Sequence, residues 1–188
     1  MTAEIVALAD AGAWEDPRVA TASMPLCFHM SYEPIETLRF VEQGEPDRFF
    51  KPNGLWISDE SDYGWSHWTA DVGFYRRHGR PRHSYSVRIK PGSDVLWIKD
   101  QAQLVRFEQE FDRYFGTLDG FRYRIDWARV AERFQGILIT PHLWECRWGS
   151  SLWYSAWNCA SGCIWDPEAI AEITKIEAFP KLPRQAAA

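Results

Sequence analysis

Residues 51–68 constrain the fold more than any other stretch, because KPNGLWISDESDYGWSHW combines four local signals in eighteen positions. A Pro-Asn-Gly turn is followed by a short apolar run, a polar cluster and a tryptophan-rich segment with helical spacing. We therefore predict the order strand, loop, helix. Trp56, Trp65 and Trp68 lie in this stretch. Their flat side chains could form a slot for a planar ring, although aromatic residues at helical spacing more often face the core.

The length and charge of the chain indicate a single soluble domain. Its 188 residues include 21 Lys and Arg and 26 Asp and Glu, a net charge of −5, so the overall charge gives no footprint for nucleic acid or an anionic membrane. The longest apolar runs are far shorter than the roughly 20 residues of a membrane span. We expect no membrane association, while a local basic patch remains an option.

The cysteines indicate a reduced, cytoplasmic protein. Cys27, Cys146, Cys159 and Cys163 are too few and too scattered for a disulfide scaffold, and the first residues lack the basic-then-apolar order of a signal peptide. A zinc site would need a second ligand pair matching Cys159 and Cys163, and the sequence has none, so we predict no metal. A Cys–His nucleophile pair is a minor alternative.

The order of elements predicts an α+β fold, because the strands do not alternate regularly with crossover helices. We expect a loosely ordered arm at residues 1–24, one domain at 25–178 and a tail at 179–188. Strands are predicted at residues 25–32, 83–91, 93–100 and 137–139, an interrupted strand pair at 153–165, and a strand or short helix at 169–177. Helices are predicted after Asp62 up to Gly79, at 104–115 and at 126–134. The run at 93–100 is expected to be central and paired as a hairpin with the strand before it.

Two polar features invite both a structural and a functional interpretation. His29 is the one imidazole in the first apolar strand, where a core histidine with satisfied hydrogen bonds is the commoner case. The sequence RRHGRPRH at residues 76–83 is the only dense basic cluster. It suits a solvated helix end whose cations complement the helix dipole, and it would also suit a phosphate.

No Walker loop, GxGxxG, GxSxG or HExxH motif is present. The segment order instead resembles the ADP-ribosyltransferase fold, with His29 and Ser31 in FHMS, then Gly-Leu-aromatic-x-Ser at residues 54–58. An aromatic helix, a PG turn with an apolar strand, a buried GILI strand and a last strand ending in IWDP follow. The resemblance spans about residues 25–175 and is strongest to the histidine-first branch, which includes diphtheria-toxin-like and poly-ADP-ribosyl enzymes.

The resemblance implies an α+β fold with a mixed, mostly antiparallel split sheet and a few helices, and NAD as substrate. It assigns NAD binding to His29, Ser31, Trp56, Ser58, Trp65 and Trp68. His29 would bond the ribose next to nicotinamide with Ser31 beside it, and Trp56 would stand where a tyrosine is more usual. Ser58, with Trp65 or Trp68, would hold the nicotinamide ring.

The catalytic acid that the family carries on a late strand has no counterpart in this chain. The corresponding window reads NCAS, so the catalytic candidates are Asn158, Ala160 and Ser161, and Glu145 and Asp166 flank it without matching. Three explanations stay open. The acid lies elsewhere, the protein is an inactive relative that only binds, or the acid was removed, since Asn158 is isosteric with Asp and alanine is the usual truncation.

The resemblance therefore implies an NAD-dependent ADP-ribosyltransferase-like protein that modifies a macromolecular acceptor, either protein or nucleic acid. A toxin or phage-related effector of this type would suit a neutralising partner protein. Two alternatives stand beside it: a non-catalytic interaction module of the same fold, and an unrelated binding protein with an aromatic-lined site.

Overall fold

The computed structural model describes residues 24–44, 51–112, 125–148 and 152–180. Nearly all of the predicted arm and most of the predicted tail lie outside these ranges, as does the end of the helix predicted at 104–115. Within them, seven strands form one sheet flanked by five α-helices, which confirms the α+β class.

The element bounds agree with much of the predicted pattern. The strands are β1 Cys27–Ser31, β2 Leu55–Asp59, β3 His83–Ile89, β4 Val95–Ile98, β5 Gly136–Ile139, β6 Ser161–Ile164 and β7 Ile170–Ile176. The α-helices are α1 Trp65–Asp71, α2 Phe74–His78, α3 Gln101–Phe111, α4 Trp127–Ala131 and α5 Leu152–Ser155, and 3-10 turns occupy Trp144–Trp148 and Pro167–Ala169.

The sheet is mixed and has the order β4-β5-β6-β2-β1-β3-β7, with β4 and β5 parallel and all other neighbours antiparallel. The predicted hairpin is wrong, because β3 and β4 do not pair although only residues 90–94 separate them. The prediction of a central β4 is also wrong, since β4 is an edge strand of the described sheet. β4 is apolar because both of its faces are buried. Leu96 and Ile98 pack under the helices, and Val95 packs into a separate hydrophobic cluster on the other face of the sheet.

Curling of the sheet explains how such a short connection joins strands at distant positions in the order. Val87 and Ile89 of β3 share one buried cluster with Val95 of β4. Four strands lie between β3 and β4 in the sheet, so five strand spacings of the usual size would separate the two by roughly 24 Å in a flat sheet. The sheet must therefore bend around this cluster, which lies on its inner face.

The second core lies between the other face of the sheet and α3, α4 and α5, and it contains much of the unusual tryptophan content. Trp127, Trp153, Trp157 and Trp165 are each at most 2% exposed there. Indole N–H groups in this core are hydrogen-bonded: Trp153 donates to Glu108, Trp157 to the Ser161 carbonyl and Trp165 to the Phe134 carbonyl. Apolar burial makes all four tryptophans core residues, and these hydrogen bonds satisfy the N–H groups of Trp153, Trp157 and Trp165.

Two local predictions need correction. The helix expected to run to Gly79 is broken at Gly73, whose φ of 61° is left-handed, so α1 and α2 are separate and Val72 is 41% exposed. The segment 153–165 begins with α5 instead of a strand, because Trp153 and Tyr154 bury their side chains from a helical turn, and only β6 is extended.

Close backbone contact in the centre of the sheet gives the first test. A Cβ at Gly162 would lie 2.3 Å from the Ile137 carbonyl oxygen and 2.9 Å from the Leu138 Cα. Gly162→Ala should therefore lower the free energy of unfolding by about 3 kcal/mol in urea titrations. Gly44→Ala is the matched control, because nothing lies within 4 Å of the added methyl. Equal stability of the two variants would contradict this packing.

Candidate functional site

The sheet opens between β1 and β2, and His29 lies at the opening. β1 pairs with β3 along all five residues, but with β2 only at Cys27↔Asp59 and Phe28↔Ser58. His29 follows the last pair. Its Nδ1 donates a hydrogen bond of 2.6 Å to the Trp56 carbonyl oxygen, so the imidazole satisfies a β2 carbonyl where the backbone ladder has ended.

The environment of His29 sets its protonation state. Burial lowers the pKa of the imidazole, and the bond to the Trp56 carbonyl offsets this only in part. A carbonyl only accepts, so the proton of the neutral ring is on Nδ1 and Nε2 presents a lone pair. The ring centroid lies 6.1 Å from that of Trp65 and 6.2 Å from that of Tyr85. We call His29, Trp65, Tyr85 and the Trp56 carbonyl together the His29 cleft. In this cleft the imidazole can accept a hydrogen bond from a ligand hydroxyl that lies beside an indole ring.

A cavity of about 530 Å³ lies next to the Trp56 side chain; its lining residues are Lys51, Pro52, Asn53, Gly54, Trp56, Ala156 and Asn158. The Trp56 ring packs on Trp157 at 4.8 Å, and Lys51 Nζ lies 4.8 Å from the Trp56 ring centroid. Asn158 Oδ1 accepts a 2.8 Å hydrogen bond from Arg147. The Trp56 cavity therefore offers an aromatic wall, an amide and nearby cations, and none of its described lining residues is acidic.

The three tryptophans of residues 51–68 do not form one slot. Trp65 contacts His29, the Trp56 ring contacts Trp157, and Trp68 packs on Phe74 at 5.3 Å. Among the described residues no ring contact joins the three to one another. Trp56 still belongs to both regions, since its carbonyl holds His29 and its ring lines the cavity.

The two serines assigned to NAD binding have structural hydrogen bonds. Ser31 Oγ donates to the Glu33 carbonyl at 2.6 Å. Ser58 is fully buried, donates to Glu60 at 2.6 Å and accepts from the Trp65 backbone N–H at 2.8 Å. Ser58 therefore acts on the position of Trp65, and a direct contact with a ligand would need it to become exposed.

The catalytic window divides into one open and two enclosed positions. Ala160 and Ser161 are at most 3% exposed; the Ala160 carbonyl accepts from the Asp59 N–H at 3.0 Å, and Ser161 Oγ donates to the Cys159 carbonyl at 2.9 Å. Asn158 alone of the three lines a cavity. Asp166 is occupied in capping the 3-10 turn and in accepting from Gln135.

Glu60 is a buried carboxylate that the sequence motifs did not single out. It is 2% exposed and accepts hydrogen bonds from Ser58 Oγ, from the backbone N–H groups of Trp65 and Ser66, and from Ser66 Oγ. The α1 N-cap, Gly64, has no capping side chain. A glycine N-cap preceded by a carboxylate four residues earlier was the available signal, because the free N–H groups of a helix start need an acceptor.

The buried cysteines do not support a nucleophile. Burial raises the pKa of Cys159 to about 12 and raises that of Cys163 as well, so both remain thiols at neutral pH. Cys163 is fully buried, and its Sγ lies 3.8 Å from the Pro52 carbonyl. All four cysteines are free thiols in the structure.

Comparison of the chain with known protein families, with curated proteins and with solved structures finds no match. In the described parts of the chain, no helix is long and apolar enough to cross a membrane, and no group of three His, Cys, Asp or Glu side chains is arranged to hold a metal ion.

His142 is a second buried imidazole, 4% exposed, and its Nε2 has no hydrogen-bond partner among the described residues. Its Nδ1 lies 3.3 Å from the Tyr154 hydroxyl, and its ring packs against Tyr63 and Trp144. Burial, with Arg147 as a further cause, lowers the pKa of His142 to about 4. The folded protein therefore holds this ring neutral.

This pKa predicts an acid-sensitive fold. Between pH 6.5 and 4 the unfolded chain protonates His142 and the folded chain does not. The free energy of unfolding should therefore keep its full value above pH 6.5 and fall by about 3 kcal/mol as the pH is lowered to 4. His142→Asn cannot titrate and should show a free energy of unfolding that falls less over the same range. Urea unfolding at pH 7 and pH 4 measures the difference, and parallel losses in the two proteins would rule the assignment out.

Proposed function

We propose that this chain is an ADP-ribosyltransferase-like protein that binds NAD at the His29 cleft and transfers ADP-ribose slowly. The observation that carries the proposal is the opening of the sheet at His29, where a neutral imidazole presents Nε2 beside an indole ring. The segments that the resemblance assigns to the first, second and acid-bearing strands are β1, β2 and β6, and these are consecutive neighbours in the sheet.

His29 suits the ribose next to nicotinamide, because its Nε2 can accept from a ribose hydroxyl without carrying charge. Trp65 supplies an aromatic face at the same place, and Glu60 and Ser58 hold its backbone. The Trp56 cavity would take the rest of the dinucleotide. Lys51 at its wall and Arg147 behind Asn158 are cations that suit a pyrophosphate.

The chemistry of the reaction explains why we expect slow transfer. Cleavage of the bond between nicotinamide and ribose develops positive charge on the sugar, and an enzyme accelerates this step with an anion placed nearby. Asn158 provides an amide, and Ala160 and Ser161 are enclosed in the sheet. Losing such an electrostatic contribution commonly lowers the rate by about 100- to 1000-fold.

A non-catalytic binding module of the same fold is the second candidate. It is favoured by the absence of an acid among the described lining residues of the Trp56 cavity. Both candidates require NAD binding at His29. They differ in whether restoring a carboxylate restores transfer.

The binding test uses a substitution that separates the two nitrogens of His29. In His29→Asn the amide N–H replaces Nδ1–H at the Trp56 carbonyl while the Nε2 acceptor is lost, so the fold should keep nearly all of its stability. For the unmodified chain, NAD at 100 times its Kd should add about 2.7 kcal/mol and raise Tm by about 5–10 °C. We expect no such shift for His29→Asn.

His78→Asn is the matched control, because His78 is exposed on α2. It should retain the full NAD-dependent shift. An unchanged shift in His29→Asn would remove His29 from the site, and no shift in the unmodified chain would refute NAD binding.

The catalytic test restores an acid at the one open position of the window. Asn158→Asp should raise nicotinamide release from NAD by about 100- to 1000-fold, with Arg147 keeping the new carboxylate ionised. Asn53→Asp is the matched control, since it adds the same charge to the same cavity away from residue 158 and should give no gain in rate. Ala160→Glu and Ser161→Glu should instead destabilise the fold, because each would bury a carboxylate in the sheet.

The outcomes separate the two candidates. NAD binding with no gain in Asn158→Asp would favour the non-catalytic module. Fast release by the unmodified chain would mean that the acid lies elsewhere, with Glu145 next in line. If no variant binds NAD, the resemblance is misleading and the aromatic surfaces serve another ligand.

A further inference from the structure

Four arginines form a basic surface that the proposed function does not use. Arg76 and Arg77 lie in the last turn of α2, and Arg80 and Arg82 lie between α2 and β3; all four are exposed. We call them the arginine cluster. Among the described residues no carboxylate lies within ion-pair distance of any of these guanidinium groups. In a chain with a net charge of −5, this is a concentrated positive surface that no carboxylate in the described part of the chain pairs with.

The helix dipole does not account for the cluster. α2 has only five residues, so its C-terminal partial charge is small. Several of the nearby carbonyl groups already have donors, since the Gly79 N–H bonds the Tyr75 carbonyl and the Tyr32 hydroxyl lies 3.1 Å from the His78 carbonyl. Within the described ranges, Arg77 is the one cluster side chain that bonds a backbone carbonyl, that of Val72 at 3.4 Å.

The arginine cluster borders the His29 cleft. The Arg82 N–H donates to the Ser31 carbonyl at 3.1 Å, two residues from His29 on β1. The Tyr75 hydroxyl of α2 lies 3.3 Å from Met30 Sδ, so the helix that carries Arg76 and Arg77 packs on the residue next to His29. A polyanion bound to the arginines would therefore pass the mouth of the cleft.

The composition of the surface favours nucleic acid over an acidic protein. The cluster contains arginine and no lysine, and the planar guanidinium group pairs bidentately with phosphate. Tyr32 is 47% exposed beside it, and its hydroxyl contacts the His78 and Gly79 carbonyls, which fixes the position of the ring. An exposed, oriented aromatic ring next to cations is a platform on which an unpaired base can stack.

We infer that the arginine cluster and Tyr32 form a docking surface for single-stranded nucleic acid. The arginines bind successive phosphates, and Tyr32 stacks on one base. Docking of the nucleic acid does not require NAD. That the bound nucleic acid is also the acceptor of ADP-ribose rests on the proposed function. In that reaction the bond between nicotinamide and ribose C1′ breaks, a nitrogen or oxygen of the strand bonds C1′, nicotinamide leaves, and the acceptor proton passes to water.

The test measures binding of a fluorescein-labelled 12-nucleotide oligothymidylate by anisotropy, without NAD. Four phosphate contacts predict that raising the salt concentration from 50 to 200 mM weakens binding by about 50-fold. A variant with all four cluster arginines changed to glutamine should lose binding and its salt dependence. The matched control changes the exposed Arg39, Arg88, Arg106 and Arg129 to glutamine and should bind like the unmodified chain, because it makes the same change in net charge elsewhere.

Tyr32 tests the single-stranded character of the ligand. Tyr32→Ala should weaken oligothymidylate binding by about tenfold, and Tyr32→Phe, which keeps the ring and loses only the hydroxyl that orients it, should weaken binding clearly less. Duplex DNA of the same length should bind more weakly than the single strand. Three results would each overturn the inference. The two arginine variants could lose binding equally, duplex and single strand could bind equally well, or polyglutamate could displace the labelled strand as effectively as unlabelled strand does.

The proposed function can fail separately. Oligothymidylate binding without an NAD-dependent Tm shift would leave the docking surface intact and refute the NAD site. An NAD-dependent Tm shift without oligothymidylate binding would support the NAD site and refute the docking surface.

Discussion

The buried carboxylate of Glu60 is the interaction on which the functional parts of this structure depend. A charge at 2% exposure is stable only with donors around it, and Glu60 has Ser58, Ser66 and the first N–H groups of α1. The positive end of the helix favours the same charge. This arrangement joins the end of β2 to the start of α1. It thereby places Trp65 beside His29 and sets the path of the chain toward α2 and its arginines.

Incomplete pairing in the sheet makes the candidate site. β1 follows β3 along its whole length and leaves β2 after two residue pairs, so the curled sheet separates at His29. An open ladder exposes carbonyl groups that need donors, and the imidazole supplies one to Trp56. The same bond orients the ring and leaves its second nitrogen as an acceptor. One side chain thus meets a structural requirement of the sheet and supplies the group that the proposed NAD site would use.

Local patterns in the sequence predicted a good part of the fold. Alternation identified β3, the continuous apolar run identified β5, and the spacing of Leu104, Phe107 and Phe111 identified α3 with its buried face. Asp126 caps α4 as expected, with its carboxylate accepting from the Arg129 N–H. The errors concern β4, the continuity of α1 and α2, and the helical start of residues 153–165. For β4 and for residues 153–165, an apolar segment had more than one way to be buried, and neighbours distant in the sequence decided between them. The break between α1 and α2 instead comes from the left-handed backbone of Gly73.

The sequence by itself determined the α+β class, most strand and helix positions, and the presence of a histidine in the first strand and of a basic cluster after α2. These follow from periodicity and local backbone preferences, which act over a few residues. Only the tertiary structure decided that Trp56 and Trp65 face different surroundings, that Ala160 and Ser161 are enclosed, and that Glu60 is buried under α1. Those properties depend on strand order, curl and the gap between β1 and β2, because burial and hydrogen bonding are set by groups brought together from distant parts of the chain.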